Sequence, residues 1–205
     1  MSGSAILFIV SAPSGAGKTS LLRELVPSDP RLVMSVSHAT RPIRPGEQTG
    51  VHYHFVSVER FEELVGEGAF LEHARVFDNY YGTAEAAVRD QLAQGLDVVL
   101  EIDWQGAEQV RRRFPDAVSI FIAPPSIDAL RERLSGRGQD SPGVVERRMA
   151  DARSELSHFP EYDYLIVNDD FAAALADLRA VVSAERLREP RQAERHAAAL
   201  AAMLG

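Results

Sequence analysis

The stretch Ile6-Leu7-Phe8-Ile9-Val10-Ser11-Ala12-Pro13-Ser14-Gly15-Ala16-Gly17-Lys18-Thr19 constrains the fold most, because it runs a buried strand into a glycine loop and then into a helix start. Five consecutive apolar residues suit a strand covered on both faces. After Thr19, Leu21, Leu22, Leu25 and Val26 recur at helical spacing until Pro27 stops them. Gly15 and Gly17 let backbone N–H groups approach a polyphosphate, Lys18 brings a compact positive charge, and the Thr19 hydroxyl can ligate Mg²⁺. The motif G-x-x-x-x-G-K-[ST] is broken at its first position by Ala12. Pro13 pushes its predecessor toward extended dihedrals, which alanine adopts without strain. Of the 22 basic residues Lys18 is the one lysine, at the position where a flat guanidinium would fit a phosphate loop poorly. A glycine turn that merely caps a helix is the competing account, and the strand–loop–helix order speaks against it.

A chain of 205 residues with 45% hydrophobic and 25% charged residues can bury one sizeable core. Its formal charge of −8 argues against nonspecific binding to nucleic acid or to an anionic membrane, while leaving room for local basic pockets. The absence of cysteine excludes disulfides and thiolate metal sites. With no apolar run of membrane-spanning length and no secretory n-region or h-region, a cytoplasmic location is expected.

Beyond the first helix, Arg31 to Val36 reads as a short strand. Ser37 to Glu47 then breaks every periodicity, and Pro42 and Pro45 stiffen it, presenting Arg41 and Arg44 either as a solvated turn or as an anion site. Val51 to Thr83 reads as a small insertion of short strands holding Tyr53, Tyr80 and Tyr81, with a helical piece near Glu59 to Val65. Tyrosines serve a core and rim as readily as a ligand. Asn79-Tyr80-Tyr81-Gly82 reads as a turn, and Thr83 as the N-cap of a helix to about Gln94.

Val98 to Asp103 is an apolar strand whose end carries Glu101 and Asp103. Beside the first strand these acids would hold Mg²⁺ or orient a substrate base, or they mark an exposed strand end. Trp104 to Phe114 reads as a helix, Val118 to Ile122 as a strand, and Ser126 as the cap of a helix carrying Ile127, Leu130 and Leu134. Arg131, Arg133, Arg137, Arg147 and Arg148 surround the loop Gly136 to Gly143, which is either a mobile lid that clamps phosphates or a surface of mixed charge. Tyr164 to Asn168 is a last strand, followed by a long helix through Phe171, Leu175, Leu178 and Val182. After Pro190 an alanine-rich helix either packs back or meets a second subunit. Alternating strands and helices predict an α/β fold: a parallel sheet with helices on both faces and a ligand crevice at the carboxyl ends of the strands.

Four motifs in order, Ser11 to Lys18, Thr40-Arg41-Pro42 with Arg44-Pro45-Gly46-Glu47, Asn79 to Gly82, and Ile102-Asp103-Trp104-Gln105-Gly106, resemble the bacterial guanylate kinase family of phosphate-loop nucleoside monophosphate kinases. The resemblance spans about Ile6 to Leu187. It implies a core of 1–37, 91–125 and 154–205, a GMP-binding insertion of 38–90, and a lid of 126–153. It implies that Ser37, Glu72, Thr83 and Asp103 recognise guanine and that Arg41, Arg44, Tyr53 and Tyr81 hold the GMP phosphate. ATP would lie on Ala12, Pro13, Ser14, Gly15, Ala16, Gly17, Lys18 and Thr19, with Arg133, Arg137 and Arg148 on the lid side and Asn168 near the adenine. Lys18, Arg41, Arg137 and Arg148 would act on the phosphates in transfer, and Thr19 and Glu101 would hold Mg²⁺, with Glu101 standing where aspartate is expected. The implied reaction is ATP + GMP giving ADP + GDP without a covalent enzyme intermediate. A noncatalytic interaction module has no need of Lys18, Thr19 and a set of lid arginines together. A kinase for another acceptor would not need Glu72 and Asp103.

Overall fold

The computed structural model describes residues 5–76, 78–136 and 142–205. In chain order the first half gives β1 (Leu7–Ser11), α1 (Lys18–Leu25), β2 (Leu32–Met34), β3 (His38–Ala39), β4 (His54–Phe55), α2 (Val58–Gly66), β5 (Phe70–Val76), β6 (Asn79–Ala84) and α3 (Glu85–Ala93). The second half gives β7 (Asp97–Glu101), α4 (Trp104–Arg113), β8 (Val118–Ala123), α5 (Ile127–Ser135), α6 (Pro142–Leu156), β9 (Tyr164–Val167), α7 (Phe171–Arg186), α8 (Glu189–Arg195) and α9 (Ala197–Leu204).

Five strands form a wholly parallel sheet in the order β2-β7-β1-β8-β9. The pleat of β1 explains its unbroken apolar run. Phe8 and Val10 face one side with Leu21, Leu22 and Leu25 of α1 and Leu178 and Val182 of α7. Leu7 and Ile9 face the other, with Val88 of α3 and Ala107 and Val110 of α4. Helices therefore cover both faces, as the alternation predicted. Each fully buried Leu or Ile contributes about 1.5–3 kcal/mol relative to an exposed one. At the end of the sheet away from the glycine loop, Arg186 Nε donates to Asp97 Oδ2 at 2.6 Å, and the Ile6 N–H donates to Asp97 Oδ1 at 2.8 Å. This ties α7 to the starts of β1 and β7.

A second, four-stranded sheet, β4-β3-β6-β5, is mixed: β3 pairs parallel to β4, while β6 runs antiparallel to both β3 and β5. The segment Asn79 to Gly82, expected as a turn, is strand, because Tyr81 pairs with Ala74 on one side and Ala39 on the other. The ladder overrides the turn preference of Asn and Gly. Thr83 belongs to β6 and does not cap α3; the N-cap position falls on Ala84, which makes no side-chain cap bond. Ser126, by contrast, caps α5 as expected, accepting from the Ala129 N–H at 3.0 Å. The expected strand Arg31 to Val36 is confined to Leu32–Met34.

Leu130 and Leu134 of α5 pack against Val145, Met149 and Ala152 of α6, and Arg131 pairs with Glu146 across the same two helices. Arg131 thus follows the mixed-charge reading. Of the expected arginine loop, residues 137–141 lie outside the described residues, and Pro142 and Gly143 open α6. Pro suits that first turn, where its missing N–H costs nothing. The terminal α9 does not pack back onto the core: Leu200, Met203 and Leu204 are exposed. Among the described residues no helix is long and apolar enough to cross a membrane.

Candidate active site

A cavity of about 310 Å³ opens where the carboxyl ends of β1 and β7 face the four-stranded sheet. One wall is the loop from Ala12 to Thr19. Gly17 has φ of +97°, and a Cβ there would meet Asn168 Nδ2 at 2.3 Å, so both backbone and space demand glycine. The same Asn168 amide donates to Ala16 O at 2.7 Å, and Arg133 Nη2 donates to Asn168 O at 3.0 Å. Asn168 is buried and, like Arg133, lies behind the loop and not along the cavity. Asn168 thus braces the loop with one of its amide N–H groups.

Lys18 Nζ donates to Ile102 O at 3.1 Å, which keeps the ammonium between the ends of β1 and β7. The Thr19 hydroxyl donates to Glu101 Oε1. These are hard oxygen donors, few in number, and among the described residues no cluster of three or more acidic or histidine side chains could hold a metal alone. That set fits Mg²⁺, which keeps waters and takes phosphate oxygens in preference to an all-protein cage.

The far wall carries Ser37, Glu72 and Asp103. Glu72 lies opposite Thr83 in the β5–β6 ladder, and the Thr83 hydroxyl donates to Glu72 Oε1 at 2.5 Å. Ser37 Oγ is 3.1 Å from Thr83 Oγ1. Thr83 is fully buried and does not line the cavity, and its hydroxyl holds Glu72; Ser37, Glu72 and Asp103 line the cavity. Burial pushes the Glu72 carboxyl up to about 7, the Thr83 hydrogen bond pulls it back down, and the Asp103 carboxylate adds to the rise. A Cβ at Gly106 would stand 2.5 Å from Glu72 Oε2, so any larger residue would displace that carboxylate. Asp103 caps α4, accepting from the Gly106 N–H at 2.9 Å, and so reaches the cavity from a helix N-terminus. The next residue, Trp104, stacks on His158 just beyond α6, with ring centroids 3.9 Å apart and planes 7° apart.

Arg41, Arg44, Tyr53 and Tyr81 line the remaining side. Tyr53 and Tyr81 meet edge to face with centroids 5.9 Å apart, and Arg41 Cζ stands 4.9 Å from the centroid of the Tyr53 ring. Arg41 is buried, and both its Nη atoms are taken by Glu47. Arg148 is half-buried on α6 and does not line the cavity. Arg137 lies outside the described residues.

Sequence reasoning missed two carboxylates. Glu155, two turns beyond Arg148 on α6, enters the cavity and accepts the Ser14 N–H at 3.2 Å. Burial pushes its carboxyl up to about 7, against the pull of Lys18. Glu47 was visible only as part of a motif, although an arginine and a glutamate six residues apart across a proline-stiffened turn were signal enough to suggest a pair.

The sequence profile of the guanylate kinase family matches residues 4–185. A guanylate kinase of Alkalilimnicola ehrlichii is 59% identical over 199 residues, covering 97% of this chain and 98% of that one. One of Vibrio cholerae is 55% identical over 204 residues, covering 98% and 99%. The crystal structure of guanylate kinase from Anaplasma phagocytophilum superposes with a TM-score of 0.75 at 34% identity, covering 92% of this chain and 89% of that one. A parallel sheet ending in a lysine-bearing phosphate loop, a mixed second sheet facing it across one cavity, and these relationships over nearly the full length agree: the chain belongs to the guanylate kinase family.

Proposed function

We propose that this chain transfers the γ-phosphoryl group of ATP to GMP, giving ADP and GDP. The observation that carries the reading is a single cavity in which a phosphate loop with Lys18 faces both an arginine–tyrosine cluster and the carboxylates Glu72 and Asp103. Two anionic nucleotides meeting head to head need two cationic cradles, and guanine needs acceptors for its N–H groups.

ATP lies along Ala12 to Thr19, with Lys18 on the transferring phosphates. Thr19 and Glu101 would hold Mg²⁺, which would supply charge neutralisation for the phosphates in transfer. Arg41, Arg44, Tyr53 and Tyr81 take the GMP phosphate, whose oxygen attacks the γ-phosphorus in line. Glu72 and Asp103 accept from guanine, with Ser37 beside them and Thr83 holding Glu72 in place. Adenine presents a donor where guanine has its O6 acceptor and would leave buried groups unpaired, a mismatch that sites of this kind reject by roughly 10⁴-fold. Arg133 and Arg148, with Arg137, belong to the lid side. The corresponding division is a core of 1–37, 91–125 and 154–205, a GMP-binding insertion of 38–90 and a lid of 126–153. Transfer through a loose transition state asks mainly for alignment and charge neutralisation, so no protein nucleophile is required.

A coupled assay of ADP release over GMP, dGMP, AMP, CMP and UMP tests this. GMP should exceed AMP by orders of magnitude; equal rates for the two would overturn the reading.

A further inference from the structure

The Glu47 carboxylate organises the loop that carries both acceptor-side arginines. It accepts from Arg41 Nη2 at 2.6 Å, from Arg41 Nη1 at 2.7 Å and from the Arg44 N–H at 2.9 Å. Its own N–H returns to Arg44 O at 3.0 Å, closing the turn.

The consequence follows from counting donors. A guanidinium has five N–H groups in a rigid plane. Glu47 takes one from each Nη, and Pro42 O takes the second from Nη1 at 3.1 Å. What remains is the Nε–H and one Nη2–H. These two lie parallel on one edge, the fork that matches two oxygens of a phosphate. The face of the guanidinium is fixed as well, with the Tyr53 and Phe55 ring centroids 4.9 and 5.2 Å from Cζ.

We propose that Glu47 is a positioning residue for phosphoryl acceptance: by occupying the end-on donors of Arg41 and the backbone donor of Arg44, it turns the side-on fork of Arg41 to the acceptor's phosphate. The inference rests on the GMP reading above. It assigns the phosphate grip to geometry, since the Arg41–Glu47 pair has no net charge. Arg41 also holds the Glu47 carboxyl down at about 2, so the pair stays ionised throughout the neutral range.

The opposite reading of the same contacts is that Glu47 stands where the phosphate belongs and must be expelled. The two readings differ in sign. If Glu47 positions Arg41, Glu47→Gln puts an amide donor against guanidinium donors and raises the KM for GMP about tenfold, leaving the KM for ATP nearly unchanged. Binding of guanosine, which lacks the phosphate, should stay as in the wild type. Glu47→Asp, which keeps the charge, should recover part of the loss. In an Arg41→Ala background, Glu47→Gln should add less than about twofold, because residues acting through one another are not additive. Melting temperatures of all variants report whether the turn still folds. A fall in the KM for GMP on Glu47→Gln, an unchanged KM, or an undiminished effect in the Arg41→Ala background would each overturn the proposal. If the wild type turns over another monophosphate and not GMP, the functional reading fails and takes this inference with it.

Discussion

The phosphate loop and the arginine loop both contact a carboxylate of their own chain, and they hold it in opposite ways. Ser14 offers Glu155 a backbone N–H at 3.2 Å, and burial, with a smaller push from Asp103 and Asp151, raises its carboxyl to about 7 against the pull of Lys18. Arg41 offers Glu47 two guanidinium donors, and its carboxyl is held down at about 2. A single backbone N–H thus meets a carboxylate that a proton readily neutralises. A guanidinium fork carries one that stays ionised. On the proposed function, the first contact would be exchanged for a substrate phosphate and the second would stay while a phosphate binds beside it.

The comparison breaks most visibly at the phosphate loop's lysine. Lys18→Ala should lower kcat by about 10²–10³-fold, because it removes charge stabilisation from the transferring group. Its circular dichroism spectrum and melting temperature should match the wild type, and near-normal turnover would dismantle the assignment of that loop. On the other arm, Arg41→Ala should act mainly through the KM for GMP, raising it about 10- to 100-fold. Steady-state kinetics varying each substrate separately would reveal a misassigned arm as a rise in the KM for ATP instead.

A smaller effect sharpens the contrast between the carboxylates. If ATP lies on this loop, ionised Glu155 would compete with phosphate oxygens for the Ser14 N–H and for the field of Lys18; burial chiefly sets its titration, with Asp103 and Asp151 adding to the rise. The KM for ATP should rise about two- to fivefold as pH passes upward through about 7, and Glu155→Gln should flatten that rise. A rise that survives in Glu155→Gln would assign it to another group. The smallest expected effect is on stability. Glu72 and Glu155 start from an ordinary value of 4.5 and reach about 7 in the folded protein, so between those limits the folded state binds more protons than the unfolded one. Stability therefore falls as pH rises through that window. Thermal melts across a buffer series should show the decline, and Glu72→Gln should make it shallower; a steeper decline would contradict the burial argument.

Local order was legible in the sequence wherever one physical preference acted alone. The apolar run of β1, the glycine loop and the Ser126 cap each follow from neighbours within a few residues, and each is found as expected. The segment Asn79 to Gly82 was not legible, because residues that favour turns in isolation are held extended by ladders to Phe70–Val76 and His38–Ala39. At the site, the cavity gathers the phosphate loop, Arg41, Arg44, Tyr53, Tyr81, Glu72, Glu101 and Asp103, and leaves Thr83, Arg133, Arg148 and Asn168 out of its lining. Thr83 and Asn168 spend their polar groups on Glu72 and Ala16 O, partners set by strand register and by a loop 152 residues away. Glu155 was invisible for the same reason: no spacing rule connects it to Ser14 across 141 residues.

Trp104 is the chain's one tryptophan, and its indole lies flat on His158. One partner of that stack follows Asp103 at the start of α4, and the other follows α6, the helix that bears Arg148 and Glu155. Any rotation of α6 against α4 must slide one ring over the other and alter the solvent and quenching environment of the indole. The protein thus carries its own optical gauge between the start of α4 and the end of α6. Stopped-flow emission on mixing with each nucleotide in turn would time the approach of the two halves without a label.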